Sequence, residues 1–233
     1  MRKMHIFGLL FLLLHFQQAF AQQAADFEWE VDDRQEVAII AYTGTLTTVT
    51  IPGEISGLPV TAIDNNKVFT DRGLTSVIIP DCIRFIGSYA FNNNRLTSID
   101  LPEKLDFNGP GAFANNRLTS VAIPNGVWAV GSGAFARNRL DSVILPDSMR
   151  IIDAAAFAHN RLTSVAIPGG VTEIGFGAFA DNPLVRITIG ANVDLRLEAF
   201  GDCGFNRAYT DGGRLAGTYT RTNTESTVWT LEE

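Results

Sequence analysis

LTSVAIPNGVWAVGSGAFARNR, residues 118–139, is the stretch whose reading decides the fold. Its opening phrase recurs on both sides of it, with leucines at positions 74, 96, 118, 140, 162 and 184, a step of 22 residues each time. Phe91, Phe113, Phe135, Phe157 and Phe179 keep the same step, and Phe200 follows one residue early. A fixed period of this length marks a solenoid, in which each unit buries its apolar face only against its neighbours.

The unit can be read from its chemistry. In LTSVAIP, residues 118–124, alternation along a strand sends Val121 and Ile123 inward with Leu118, and Ser120 and Ala122 outward. Pro124 cannot donate to a sheet ladder and ends the strand. Val127, Val130, Ala134 and Phe135 then close the other side of the coil, with Gly131 and Gly133 allowing tight bends. Each buried large side chain contributes about 1.5–3 kcal/mol, so several coils suffice for a stable core. Asn94, Asn116, Asn138, Asn160 and Asn182 recur three residues after each Phe. Because an amide carries both donors and acceptors, a stack of them can satisfy the backbone groups left over where each coil turns. These asparagines are expected to form a structural ladder. Cys203, three residues after Phe200, falls in the same register and is expected as a buried ladder thiol.

The array has edges. A coil opening at Leu46 (LTTVTIP, residues 46–52) reaches Phe69 with six extra residues around Gly57-Leu58-Pro59, which makes seven coils. Alternation in residues 27–31, followed by 37–42, predicts a hairpin covering the first coil. Residues 215–221 and 227–231 predict a second hairpin, with Tyr219 and Trp229 covering the last coil, as open solenoid ends would expose core and sheet edges.

The chain has 233 residues, 46% of them apolar and 18% charged, which supports a packed core and excludes general disorder. Eighteen basic against 25 acidic residues give a net charge of −7, and no basic run invites nucleic acid. Arg2 and Lys3 precede an apolar run at residues 6–16, and Ala19-Phe20-Ala21 supplies small residues at alternate positions, so residues 1–21 read as a cleaved signal peptide. The apolar run is too short to cross a bilayer, which needs about 20 residues, and no later segment serves as a transmembrane anchor. Without Arg2 and Lys3, 16 basic residues face 25 acids, a formal charge of −9. The expected organisation is a signal peptide at 1–21, a cap hairpin at 22–45, the solenoid at 46–203 and a second cap hairpin at 204–233. Export to the periplasm, the cell surface or the medium follows.

The phrases LTSVIIP, residues 74–80, and IGFGAF, residues 174–179, with their copies, resemble the BspA-type, or treponemal, leucine-rich repeat family of bacterial surface proteins over about residues 46–203. The resemblance implies a mainly β solenoid: a right-handed leucine-rich repeat coil of about seven 22-residue units, with a parallel sheet formed by the Leu-x-x-Val-x-Ile strands. It implies secretion or surface display and, in some members, adhesion to host matrix proteins or other bacteria. It carries over no catalytic residue.

Candidate chemistry is sparse. Cys82 and Cys203 would be five coils apart, roughly 24 Å at about 4.8 Å per coil, whereas a disulfide needs Cα atoms within about 7 Å. Cys82 is expected on a turn with access to solvent. Gly109-Pro-Gly-Ala-Phe-Ala114 and its copies at 131 and 175 match G-x-G-x-x-A, but a dinucleotide site needs a following helix for which a 22-residue coil has no room. His159, the one histidine left after signal removal, occupies a variable turn position shared with Asn93, Asn115, Arg137 and Asp181. No metal, cofactor or catalytic group is expected, although a β-helix polysaccharide lyase is a remote alternative.

Two surfaces and one side chain remain as candidates for binding. Arg95, Arg117, Arg139 and Arg161 share one register and would form a column near 5 Å spacing, which reads either as repeat duplication with stems covering the coil edge or as an anion-binding stripe for a sulfated glycan or acidic protein. The outward strand face carries Ser76, Ile78, Ser98, Asp100, Ser120, Ala122, Ser142, Ile144, Ser164 and Ala166, small and nearly uncharged, which suits a broad protein contact or a second copy. Trp128 aligns with Arg84, Asp106, Arg150 and Thr172, and is expected exposed, as an anchor or incidentally. The function expected is a non-enzymatic module for protein or glycan recognition, with adhesion as one form of it. A structural or self-assembling envelope protein is the alternative.

Overall fold

The computed structural model describes residues 24–64 and 66–232; the expected signal peptide lies outside the described residues. Seven coils wind around one interior. Phe69, Phe91, Phe113, Phe135, Phe157, Phe179 and Phe200 form a single row with ring centroids 4.9–5.6 Å apart and planes within 14° of parallel. The spacing is that of neighbouring strands, so one Phe per coil automatically stacks on the next. Leu74, Leu96, Leu118, Leu140, Leu162 and Leu184 line the same core and are buried.

The sheets are distributed differently from expectation. The strands of the Leu-x-x-Val-x-Ile phrase pair in parallel only two at a time: Thr48–Thr50 with Ser76–Ile78, Ser120–Ala122 with Ser142–Ile144, and Ser164–Ala166 with Arg186–Ile189. Residues 98–100 form no strand; Asp100 stands there, a residue depleted in strands. The continuous sheet lies across the coil. It joins the Phe27–Val31 and Val37–Tyr42 hairpin to Leu58–Ile63 and then to two-residue parallel strands, among them Phe85–Ile86, Ala129–Val130, Ile151–Ile152 and Glu173–Ile174. Most coils are thus closed by a strand on two sides, the coil opening at Leu96 being the exception on the phrase side.

The six extra residues of the first coil make a tight hairpin, Glu54–Ile55 against Leu58–Ile63, turning through Ser56 and Gly57 at φ 55° and 82°, the sign that two-residue hairpin turns require. Leu46 departs from its register mates, being 60% exposed. Phe27 and Tyr42 fill that end of the core instead, their centroids 6.2 and 5.2 Å from Phe69. Arg72 takes the place of a ladder asparagine there, donating to the Tyr42 carbonyl at 2.6 Å.

At the other end the expected hairpin is joined by an element not read from the sequence. A short helix, Phe205–Asp211, precedes the hairpin of Gly217–Thr220 and Thr230–Leu231. Phe205 meets Phe200 edge-on at 4.7 Å and covers the stack, while Tyr219 and Trp229 pack on Phe205 at 5.4 and 5.2 Å. The two aromatics named from the sequence therefore form an outer layer, one ring further from the last coil. Within the array the carbonyls of Leu74, Leu96, Leu118 and Leu140 accept from the arginine amide of the next coil, as Leu118 O does from Arg139 N at 2.9 Å. Leu184 has no following coil, and the buried Arg221 side chain supplies the donor, Nε to O at 2.6 Å, while lying over the Trp229 ring.

Candidate functional site

The strand face is the side on which the candidate residues converge. Ser76, Ile78, Asp100, Ser120, Ala122, Ile144 and Ala166 are all exposed; Ile78 and Ile144 stand 59% and 66% open. Alternation sets this, because the inward partners Val77, Val121 and Val165 are buried. Over the middle of the face, where residues 98–100 leave the ladder, lies a groove of about 670 Å³ lined by Ser98, Asp100, Ser120, Ala122 and Ile144. Glu103 and Asp147 also line it. They were not singled out from the sequence, yet each directly follows the proline that ends its repeat phrase, Pro102 or Pro146, and a carboxylate repeated at that position was the available signal. The groove thus has an aliphatic and hydroxyl floor edged by three carboxylates, and no Lys, Arg or His lines it. Such a lining favours hydroxyl-bearing or cationic groups over anions.

The other candidates are elsewhere. Trp128 is 52% exposed but adjoins Ala129–Val130 of the continuous sheet and does not line the groove. Arg95, Arg117, Arg139 and Arg161 are exposed at the coil edge, also outside the groove. The asparagines are placed inside. Asn138 Oδ1 accepts from Leu118 N at 3.0 Å, and its Nδ2 donates to the carbonyls of Phe113 and Phe135 at 3.0 and 3.1 Å. Asn94, Asn116, Asn160 and Asn182 repeat this pattern. Cys203 is only half-buried, a difference from the expected buried thiol, and donates to the Phe200 carbonyl at 3.2 Å.

Burial pushes the Cys203 and Cys82 thiols up from their ordinary values. Both cysteines are free, and Cys82, expected on an open turn, is half-buried with Sγ 3.4 Å from Gly53 O. His159 is exposed and pairs with Asp181 at 3.1 Å. Gly111, Gly133 and Gly177, the second glycines of the G-x-G-x-x-A phrases, sit at φ 58–63° in turns that lead to core phenylalanines, with no helix after them. Among the described residues no group of three or more His, Cys, Asp or Glu is placed to hold a metal.

The description "BspA type Leucine rich repeat region" matches six copies, over residues 61–185 and 109–206. The chain belongs to the BspA-type leucine-rich repeat family. Among solved structures this BspA-type chain is similar to a leucine rich cell surface protein of Faecalibacterium prausnitzii, at 29% identity and TM-score 0.56, covering 70% of this chain and 53% of that one. It also shares its fold with the pneumococcal vaccine antigen PcpA (20% identity, TM-score 0.57, 71% and 48% covered) and a leucine rich repeat protein of T. pallidum (23%, 0.50, 82% and 94%). The chain spans about half the length of the first two. No curated protein matches it. No helix among the described residues is long and apolar enough to cross a membrane.

Proposed function

We propose that this protein is an exported, non-enzymatic binding module that engages a protein or glycan through the groove on its strand face. The observation that carries the proposal is the groove itself, an open concavity of about 670 Å³ at which Ser98, Asp100, Ser120, Ala122, Ile144, Glu103 and Asp147 are exposed. Export is supported by the sequence of residues 1–21 and by the F. prausnitzii relative being a cell surface protein. Adhesion would be one form of this role. The apolar exposure of Ile78 and Ile144 favours a second reading, in which the same face meets another copy in a structural assembly.

The test combines fractionation of the producing cells with capture on immobilised matrix proteins and neutral glycans, comparing wild type with Ile144→Arg. Because Ile144 already faces solvent, the variant should melt like wild type while losing capture. Unchanged capture would remove the groove from the proposal, and retention in the cytoplasm would remove export. Sedimentation of the mature chain distinguishes the second reading, which requires association that Ile144→Arg abolishes.

A further inference from the structure

The groove concentrates carboxylates, whereas the coil edge does the opposite. Arg95, Arg117, Arg139 and Arg161 are held one per coil by backbone bonds of 2.8–2.9 Å to the leucine carbonyl of the preceding coil. Their spacing is therefore about 4.8 Å and the row roughly 15 Å long. All four are exposed, and no carboxylate lies within ion-pair distance of any of them among the described residues. Like charges so close lie well inside the Debye length of about 8 Å at physiological salt and repel. A chain with 25 acidic residues has nevertheless placed no partner beside them.

A second row runs two residues earlier: Asn93, Asn115, Arg137 and His159, at φ 55–57°, each exposed and fixed by its amide to a carbonyl of the next coil at 2.9–3.0 Å. This row offers further donors. Its carboxylates stand only at its ends, where Asp71 bonds Asn93 and Asp181 pairs with His159. Asp141, two residues beyond Arg139, is the remaining acid in the neighbouring register.

We infer that this double row is a binding site for a linear sulfated polysaccharide lying along the solenoid axis. Guanidinium groups bind sulfate-like oxyanions with two parallel hydrogen bonds. A straight row presented at a fixed repeat fits a rod-like chain with recurring anions better than a curved protein surface, and sugar hydroxyls can use the Asn93 and Asn115 amides. Single-stranded nucleic acid is the other linear polyanion, but its binding relies on aromatic stacking platforms, and none of the exposed aromatics Trp29, Tyr89, Trp128 and Phe176 falls in either row. This inference does not depend on the groove.

The probe is a size-defined heparin oligosaccharide, titrated against the mature chain at several salt concentrations, with Arg117→Ala/Arg139→Ala, a control Arg207→Ala at the far cap, and melting curves for each. The expected result is binding that weakens steeply with salt, falls about tenfold or more in the double variant with a shallower salt slope, and is unchanged in the control. Asp141→Asn should tighten binding by up to a few fold. Equal affinity of wild type and double variant, equal affinity for desulfated oligosaccharide, or equal affinity for poly-dT would each overturn the inference. A double variant that melts early is replaced by Arg117→Gln/Arg139→Gln, which keeps the stems.

Discussion

Removing the Asn138 side chain should expose how the ladder is wired. Leu118 N–H has Asn138 Oδ1 as its partner at 3.0 Å, and loses it in Asn138→Ala. The two phenylalanine carbonyls are better protected. Phe113 O also accepts from Asn116 Nδ2 at 3.1 Å, and Phe135 O also accepts from Asn160 Nδ2 at 3.0 Å. The single variant therefore orphans one buried donor and no acceptor, a cost of about 1–3 kcal/mol, or a fall of roughly 2–4 °C per kcal/mol in a domain of this size. Arg139→Ala, an exposed neighbour, should stay within about 0.5 kcal/mol. The shared acceptor makes a sharper demand on pairs of variants. Asn116→Ala/Asn138→Ala strips Phe113 O of both amides, so its cost should exceed the sum of the singles by about 1–3 kcal/mol. Asn116 and Asn160 share no carbonyl, and their double variant should be additive within about 0.5 kcal/mol. Urea denaturation of the three asparagine singles, the two double variants and Arg139→Ala measures all of this. Additivity in the adjacent pair, or equal melting temperatures for Asn138→Ala and Arg139→Ala, would refute the wiring.

Ala155 occupies at φ 54° the register held by Gly111, Gly133 and Gly177; Ala155→Gly should stabilise by up to about 1 kcal/mol, relief of left-handed strain outweighing chain entropy, read as a higher melting temperature. Gly175→Ala should destabilise by more than about 2 kcal/mol, because a Cβ there would stand 2.5 Å from the Ala154 amide nitrogen and 2.7 Å from the Asp153 carbonyl carbon; expression and melting report it. Phe205→Ala uncovers the end of the Phe row and should cost about 3–5 kcal/mol, with amide exchange rising first in the last coils; uniform exchange along the array would contradict the capping role. Burial raises the thiols of Cys82 and Cys203 above their ordinary value of 9.0, so the unfolded chain ionises first as pH rises. Stability should be full below pH 9.0 and decline above it, and Cys82→Ala/Cys203→Ala should flatten that decline in denaturation measured across alkaline pH.

What could be read from residues alone depended on whether a feature repeats. The Phe row, the inward leucines and the outward position of Ser120 and Ala122 follow from a 22-residue step combined with strand alternation. The continuous sheet was hidden because strands of two residues, such as Ala129–Val130, are too short to show alternation. The cap helix was hidden for another reason: seven residues make only about two turns, although Phe205 and Tyr209, four apart and both buried, carried the signal. Arg221 could not be assigned, since its partner Leu184 lies 37 residues away. The groove depended on a strand that fails to form around Asp100 and on turn positions after the prolines, neither of which alternation describes.

Repetition is therefore informative in opposite ways inside and outside the coil. Inside, Phe, Leu and Asn recur because each must meet its own copy one coil on, and the family match at residues 61–206 records that constraint. Outside, packing demands nothing, so a side chain that recurs there needs another reason. Ser76, Ser98, Ser120, Ser142 and Ser164 recur without burial, in keeping with small residues that leave a strand face open. Arg95, Arg117, Arg139 and Arg161 recur although their like charges oppose one another and no side-chain bond among the described residues holds them. Their backbone amides do the structural work that any residue but proline could do, as Pro183 shows by ending the row one coil later. The guanidinium groups are thus free of structural duty, which is why the coil edge, more than the core, is where this protein's choice of ligand should be sought.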